Sequence, residues 1–302
     1  MYMTKTRLFV ALLTVLAVSF QSCKDDEGDT VNQPTKSIIQ YLTDNGGYTE
    51  FLNAVETAGL TSKITGSGSF TLLAVSDLQL QDDGVDFSAM SNDEVTSFVN
   101  YHFMESKMMP SSFTNRGYAS TAASSNVSGK TLSVFTEVAG SSVTFNGQQA
   151  NENYEATNGI VYVMAKSIAP ASVIDHIGIN PDLANYKSGV NLEGAIKTEL
   201  GTGPNTVFAI NDKQLVEWLN TKNVIRISDI APSERRAIMN NTMIYDENKT
   251  SADLTGTVST VGKDIAFTGS PEALTLNGSV KVIHRDIIAT DGVMHIINDV
   301  LE

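Results

Sequence analysis

Four histidines and a single cysteine are the sparse reactive side chains of this 302-residue chain. A neutral imidazole can ligate a metal or move protons near neutral pH, so paired histidines would be the first place to look for chemistry. The chain, however, contains one pattern twice, and its histidines divide between the copies. His102 follows Tyr101 in the first copy, where the second has Asn241-Thr242; His295 lies in the second, where the first has Tyr162. Neither copy holds both imidazoles, so neither a paired-imidazole metal site nor a histidine acid–base pair is expected within one copy. His176 falls on an apolar helical face and reads as a half-buried packing residue. His284 sits in the alternating run Lys281-Val282-Ile283-His284-Arg285-Asp286, a strand with one solvated face. Gly129-Lys130-Thr131 copies the end of a phosphate-binding loop, but Ser124 stands where the first glycine belongs and Thr131 opens a strand instead of a helix. Neither Gly-x-Ser-x-Gly nor His-Glu-x-x-His occurs. The acidic pairs Asp82-Asp83 and Asp246-Glu247 have ligand chemistry for calcium but read as solvated loops. No catalytic residue, metal or cofactor is assigned.

The repeated stretch organises the rest. Gly66-Ser67-Gly68-Ser69-Phe70-Thr71-Leu72-Leu73-Ala74-Val75-Ser76-Asp77 returns 135 residues later as Gly201-Thr202-Gly203-Pro204-Asn205-Thr206-Val207-Phe208-Ala209-Ile210-Asn211-Asp212. Each copy reads as turn glycines, a strand buried on both faces, and an aspartate capping a following helix. The glycines precede a strand, so they are not a dinucleotide fingerprint. Upstream, Phe51, Leu52, Val55 and Ala58 share a helical face closed by Gly59; Leu192, Ala195, Ile196 and Leu200 answer in the second copy, with Asn191 as their expected N-cap. Downstream, Leu215, Trp218 and Leu219 predict a helix that is short or absent after Asp77. Ser91-Asn92-Asp93-Glu94 is a capping box ahead of Val95, Phe98 and Val99, and its equivalent begins at Pro232. Alternating strands then follow, with Asn146-Gly147 and Asn277-Gly278 as tight turns. Asn158-Gly159 and Asp291-Gly292 are read as positive-φ turns into a last apolar strand.

The start of the chain reads as a targeting segment. Lys5 and Arg7 precede an apolar run of 13 residues, too short to span a bilayer, and Ser22-Cys23 follows. Ser22-Cys23 resembles the lipobox of bacterial lipoproteins, which implies removal of residues 1–22 and lipid attachment at Cys23. The sole cysteine can form no disulfide within one chain. Residues 23–35 are acidic, then polar, and predict a flexible tether; Lys24-Asp25-Asp26-Glu27-Gly28-Asp29 resembles the export signal of Bacteroidota-type surface lipoproteins. Asp29-Thr30-Val31 resembles a short O-glycosylation acceptor of the same group. The precursor carries a formal net charge of −14. Residues 31–170 hold 6 basic and 13 acidic side chains, and 171–302 hold 11 and 17, so neither half offers a basic face for nucleic acid.

Taken together, the helix closed by Gly-Leu, the Gly-x-Gly-x-x-Thr strand ending in Asp, the Tyr101-His102 pair, the Thr-Leu strand, Asn-Gly and the final Thr-Asn-Gly strand resemble the fasciclin domain. The resemblance covers residues 36–169 and 171–302. It implies an α+β fold in two tandem fasciclin-like domains, each a small β-sheet wedge packed with several helices. Val75 and Ile210 stand where the family often has proline. It further implies a non-catalytic adhesion or matrix module, with Tyr101 and His102 as possible partner-binding residues because that region contacts receptors in some members. The expected protein is a lipid-anchored outer-membrane lipoprotein facing the cell exterior that binds an extracellular protein or glycan; the alternative is a structural or accessory role beside a polysaccharide-uptake complex. Pro170-Ala171 leaves almost no linker, so a fixed orientation of the two copies is expected.

Overall fold

The computed structural model describes residues 34–302. The targeting segment, Cys23, the acidic run and Asp29-Thr30-Val31 lie outside the described residues. The first copy opens with helices α1 (Ile38–Asn45), α2 (Thr49–Thr57) and α3 (Thr61–Thr65). Strand β1 (Phe70–Ala74), the one-and-a-half-turn helix α4 (Asp77–Asp82), α5 (Asn92–Tyr101) and β2 (Phe103–Met104) follow. A run of strands completes it: β3 (Arg116–Ser124), β4 (Thr131–Ala139), β5 (Ser142–Phe145), β6 (Gln148–Ala156) and β7 (Gly159–Met164). The second copy repeats the order with α6 (Val173–Ile179), α7 (Ala184–Leu192), α8 (Gly194–Leu200), β8 (Asn205–Ile210) and α9 (Asp212–Thr221). After these come α10 (Pro232–Asn241), β9 (Met243–Tyr245), β10 (Gly256–Ser259), β11 (Asp264–Thr268), β12 (Thr275–Leu276), β13 (Val280–Ile288) and β14 (Gly292–Ile297).

Each copy builds a seven-stranded sheet, ordered β2-β1-β7-β6-β5-β4-β3 and β10-β11-β12-β13-β14-β8-β9. The repeated strand lies near one edge, parallel to the copy's last strand. β1 pairs with β7 through Leu72 and Val161, and β8 with β14 through Val207 and Met294. The continuous apolar runs arise here, because a strand covered on both faces has no solvated side to fill with polar residues. β8 is buried at all six positions.

The aspartates that end the anchors act across the fold. Ser76 and Asn211 are the N-caps of α4 and α9. The Asp77 carboxylate instead accepts the Thr49 and Glu50 N–H groups at 3.0 and 2.9 Å, capping α2. Asp212 accepts the Asn185 N–H at 2.9 Å and so caps α7. The expectation that Asp212 caps its own helix is therefore corrected: Tyr48 and Leu183, at the N-cap positions of α2 and α7, supply no side-chain acceptor. Asp77→Ala should lower stability by about 1–2 kcal/mol, read as a reduced denaturation midpoint; an unchanged midpoint would refute the cross-cap.

Asn191 is likewise not an N-cap, since it lies within α7, whose inward face is Tyr186, Gly189 and Val190. Asn146-Gly147 and Asn277-Gly278 do take positive φ, from 48° to 76°. Asn158 and Asp291 do not; their side chains tie helices to the sheet. Asn158 Oδ1 accepts the Ile38 N–H at 2.9 Å while Nδ2 donates to the Ile64 and Gly66 carbonyls, both at 2.9 Å. Asp291 accepts the Val173 N–H at 2.8 Å but has no donor, and Asn205 supplies the missing amide to the Glu199 and Leu200 carbonyls at 3.2 Å.

The copies pack against one another within this unit. Ile288 and Val293 of the second enter the core of the first, and Tyr118 of the first packs on the core of the second. Ile288 N–H donates to Ser133 Oγ at 2.9 Å, Asn180 Nδ2 to Tyr118 Oη at 3.1 Å, and Arg116 pairs with Asp182 at 2.8 Å. His176 is fully buried rather than half-buried, because the Tyr118 ring covers it edge-on at 5.5 Å.

Candidate functional site

Tyr101 and His102 are completely buried, which corrects their assignment as contact residues: neither ring presents a surface to a partner. The physical reason is that the helix ends here against the sheet, and both side chains turn inward to hold the segment that links the copies. His102 Nδ1 lies 2.8 Å from the Phe98 carbonyl, and Nε2 accepts the Ile168 N–H at 3.2 Å, so the proton resides on Nδ1. Burial pushes this imidazole down to about 4, with the Phe98 bond opposing only in part. The Tyr101 hydroxyl donates to the Ser133 carbonyl at 2.9 Å and accepts from Asn146 Nδ2 at 2.8 Å and Ala171 N–H at 3.3 Å. Burial pushes the phenol up to about 12, the last two bonds partly offsetting it.

Residues 167–171, the strap between the copies, are therefore pinned from below. Asp83 fastens them from the side, accepting the Ser167 N–H at 2.7 Å and hydroxyl at 2.8 Å. Burial alone would raise the Asp83 carboxyl, but the Ser167 and Gln79 bonds outweigh it and hold the group below its ordinary value.

The second copy ties the equivalent segment with different atoms. Asn241 Nδ2 donates to the Leu301 carbonyl at 2.6 Å, in the place where His102 holds Ile168. Thr242 Oγ1 donates to the Met239 carbonyl, so the Tyr186 hydroxyl must be the donor in its 2.7 Å bond to Thr242. His295 is buried and stacked on Phe208; its Nδ1 accepts the Asp286 N–H at 3.2 Å and Nε2 faces the Lys249 carbonyl at 3.0 Å. It is the opposite tautomer to His102, and each ring is committed to backbone. Among the described residues there is no group of three or more His, Cys, Asp or Glu that could hold a metal. Gly129 turns at φ +68° before β4 opens at Thr131, a hairpin loop without a helix to receive phosphate.

What the strap does create is an open groove. A hollow of about 590 Å³ lies between the α4–α5 segment and the strap, walled by Val85, Met90, Phe98 and Ile168, with Asp93 and Glu94 on its rim. A smaller hollow of about 220 Å³ continues on the other side of residues 167–171 toward Asp175 and Ile179 of the second copy. Phe98, placed by its helical spacing on the inner face of α5, is only partly buried and forms the floor; its ring stacks on His102 at 4.3 Å. Tyr101 and His102 thus support this groove without touching its contents. Sequence reasoning misses Val85, Met90 and the strap, which carry no periodic signal; the nearest clue is the polar Asp82-Asp83-Gly84 break that ends α4 early.

Comparison with known proteins agrees with this architecture. A profile of the fasciclin domain matches residues 46–170 and 183–302, and the chain belongs to the fasciclin-domain family. It is 22% identical over 290 residues to the transforming growth factor-beta-induced protein ig-h3 of Sus scrofa, covering 93% of this chain and 42% of that protein, so it spans less than half of that relative's length. The fold is similar to a FAS1 domain pair from the insect cell adhesion molecule fasciclin I, with a TM-score of 0.55, 15% identity, and coverage of 86% of this chain and 98% of the other.

Proposed function

We propose that this protein is a non-catalytic binding lipoprotein, anchored through Cys23 and displayed at the outer surface, whose paired fasciclin domains engage an extracellular protein or glycan. The observation that carries the binding reading is the groove: an open, largely apolar hollow of about 590 Å³ with a carboxylate rim, built on a strap that Tyr101, His102 and Asp83 hold in place. Such a concavity suits recognition, and His102, the imidazole beneath its Phe98 floor, is buried with both ring nitrogens bonded to backbone. Similarity to an insect cell adhesion molecule supports the same reading. Among the described residues no helix is long and apolar enough to cross a membrane, so in this reading the attachment is the lipid. Two experiments test it. Cys23→Ala should move the protein from the membrane to the soluble fraction, and unchanged fractionation would reject the anchor. A matrix-protein and glycan array probed with the full chain should give saturable hits; a blank array would reject the binding reading.

A further inference from the structure

The groove of the first copy has a counterpart in the second that is covered, and what covers it specifies a ligand. We propose that the first-copy groove docks a partner segment presenting an aromatic side chain and, one helical turn later, a lysine or arginine. This rests on the binding reading above and narrows it to a chemistry.

The template lies within the chain. Helix α9 has 10 residues where α4 has 6, and its extra turn carries Trp218, followed by Lys222 at its C-cap. Trp218 Nε1 donates to Glu302 Oε1 at 2.5 Å. Lys222 Nζ bridges Glu234 at 3.2 Å and Glu302 at 3.4 Å, and sits 5.0 Å from the Trp218 ring centre. In the shared register Glu234 corresponds to Glu94, Ile238 to Phe98, Leu301 to Ile168 and Glu302 to Ala169. The second copy therefore sets an indole and an ammonium, four residues apart on one helix face, against Glu234 and Glu302, at positions where the first copy has Glu94 and Ala169 with no such side chains over them.

In the first copy α4 stops at Asp82, and Ala169 offers no carboxylate. The walls and the acids remain. Asp93 and Glu94 are exposed and form no salt bridge among the described residues; Glu94 uses Oε2 for its capping bond to Ser91. Among the described residues none that lines the groove is basic, and the nearby Lys166 acts on Asp83, which the strap already engages. A cationic group entering over Phe98 would meet uncompensated negative charge beside an aromatic face, the arrangement that Lys222 satisfies in the other copy.

The test uses the full chain and a synthetic peptide with the sequence of residues 212–223, DKQLVEWLNTKN. Binding is followed by the methyl resonance of Met90, assigned with Met90→Leu. The peptide is expected to move that resonance saturably. Its Trp218→Ala version should bind at least about tenfold more weakly, and its Lys222→Ala version about threefold more weakly with reduced salt dependence. On the protein, Ala169→Trp should fill the groove and abolish the shift while the melting temperature holds, and Asp93→Lys should weaken binding about tenfold. The proposal is overturned if millimolar peptide leaves Met90 unmoved or if binding survives Ala169→Trp. It is also overturned if Ala169→Trp instead abolishes a concentration-dependent self-association, which would make a second copy of this chain the occupant. Array hits that persist in Ala169→Trp would leave the binding reading standing and remove the groove; a blank array with a bound peptide would do the reverse.

Discussion

Acidification from pH 7 to pH 4 is expected to destabilise the fold by about 6 kcal/mol, before most carboxylates titrate. His102 and His176 are buried as neutral rings, and burial pushes each from 6.5 to about 4. Above 6.5 both are neutral whether the chain is folded or not, and they contribute nothing to pH dependence. As the pH falls below 6.5 the unfolded chain binds two protons that the folded chain refuses, so stability falls until about pH 4. Each contributes about 3 kcal/mol across that window. His295, also lowered by burial, acts in the same direction. Asp83, Asp253 and Asp286, held below their ordinary values, lose stability only at lower pH as their own carboxyls protonate. Asp212 and Asp291 are raised by burial and oppose the loss near its lower end. The two main rings differ in what replaces them. His102 uses both nitrogens, and a second proton would set Nε2–H against the Ile168 N–H it now accepts. Among the described residues neither nitrogen of His176 has a hydrogen-bond partner within normal geometry; Tyr118 covers it, and Asp175 and the Ile288 backbone only partly offset the burial. His176→Phe should therefore match or exceed the parent's stability at pH 7 and remove about half of the acid loss. Denaturant titrations at pH 7, 6, 5 and 4 measure both effects; a flat profile from pH 7 to 5, or an unaltered loss in His176→Phe, would contradict the assignment.

The same residues show how far the sequence could be read. The doubled anchor strands, the Ser91 capping box and the Asn146-Gly147 and Asn277-Gly278 turns are local signals, in which the residue types and the geometry they need lie within a few positions of each other, and each is found where its chemistry predicts. What escaped was non-local. Asp77 sits at the start of one helix and caps another 28 residues upstream; Asn158 looks like a turn residue and acts as a buried staple across 120 residues to Ile38. Helix α7 carries little periodic signal because its polar Ala-Asn-Tyr-Lys-Ser-Gly-Val-Asn-Leu run has a weak apolar face, with Gly189 where the first copy has Ala54. A larger side chain there is disfavoured, since even a Cβ would lie 2.9 Å from Met239 Sδ. Tyr101 and His102 were recognisable as a motif, but whether they face out or in depends on where the strap runs, and nothing local records that path. The groove follows from the same difficulty: it exists because α4 is short relative to α9, a difference visible only when the copies are compared in three dimensions.

Gly159→Ala should be the most damaging single-methyl change in the first copy, lowering stability by more than about 4 kcal/mol. A Cβ at this position would lie 2.1 Å from the Phe70 carbonyl oxygen and within 3 Å of the Phe70 carbonyl carbon and nitrogen. Those atoms belong to the first residue of β1, which pairs in parallel with β7 at that point, so relief would require separating the two strands. Gly292→Ala meets the Asn205 carbonyl at 2.4 Å in the second copy and should behave alike. Gly147→Ala is the control: its φ is +76° but no atom lies closer than 3.8 Å, and the cost should be about 1 kcal/mol, from backbone conformation alone. If Gly159→Ala and Gly147→Ala have equal denaturation midpoints, close backbone approach is not what demands glycine at the head of the last strand. The two changes should also separate in binding. Forcing β7 off β1 displaces Asn158 from α1 and α3 and moves the strap that begins three residues beyond Met164, so Gly159→Ala should lose the peptide-induced Met90 shift. Gly147→Ala leaves the strands paired and should retain it.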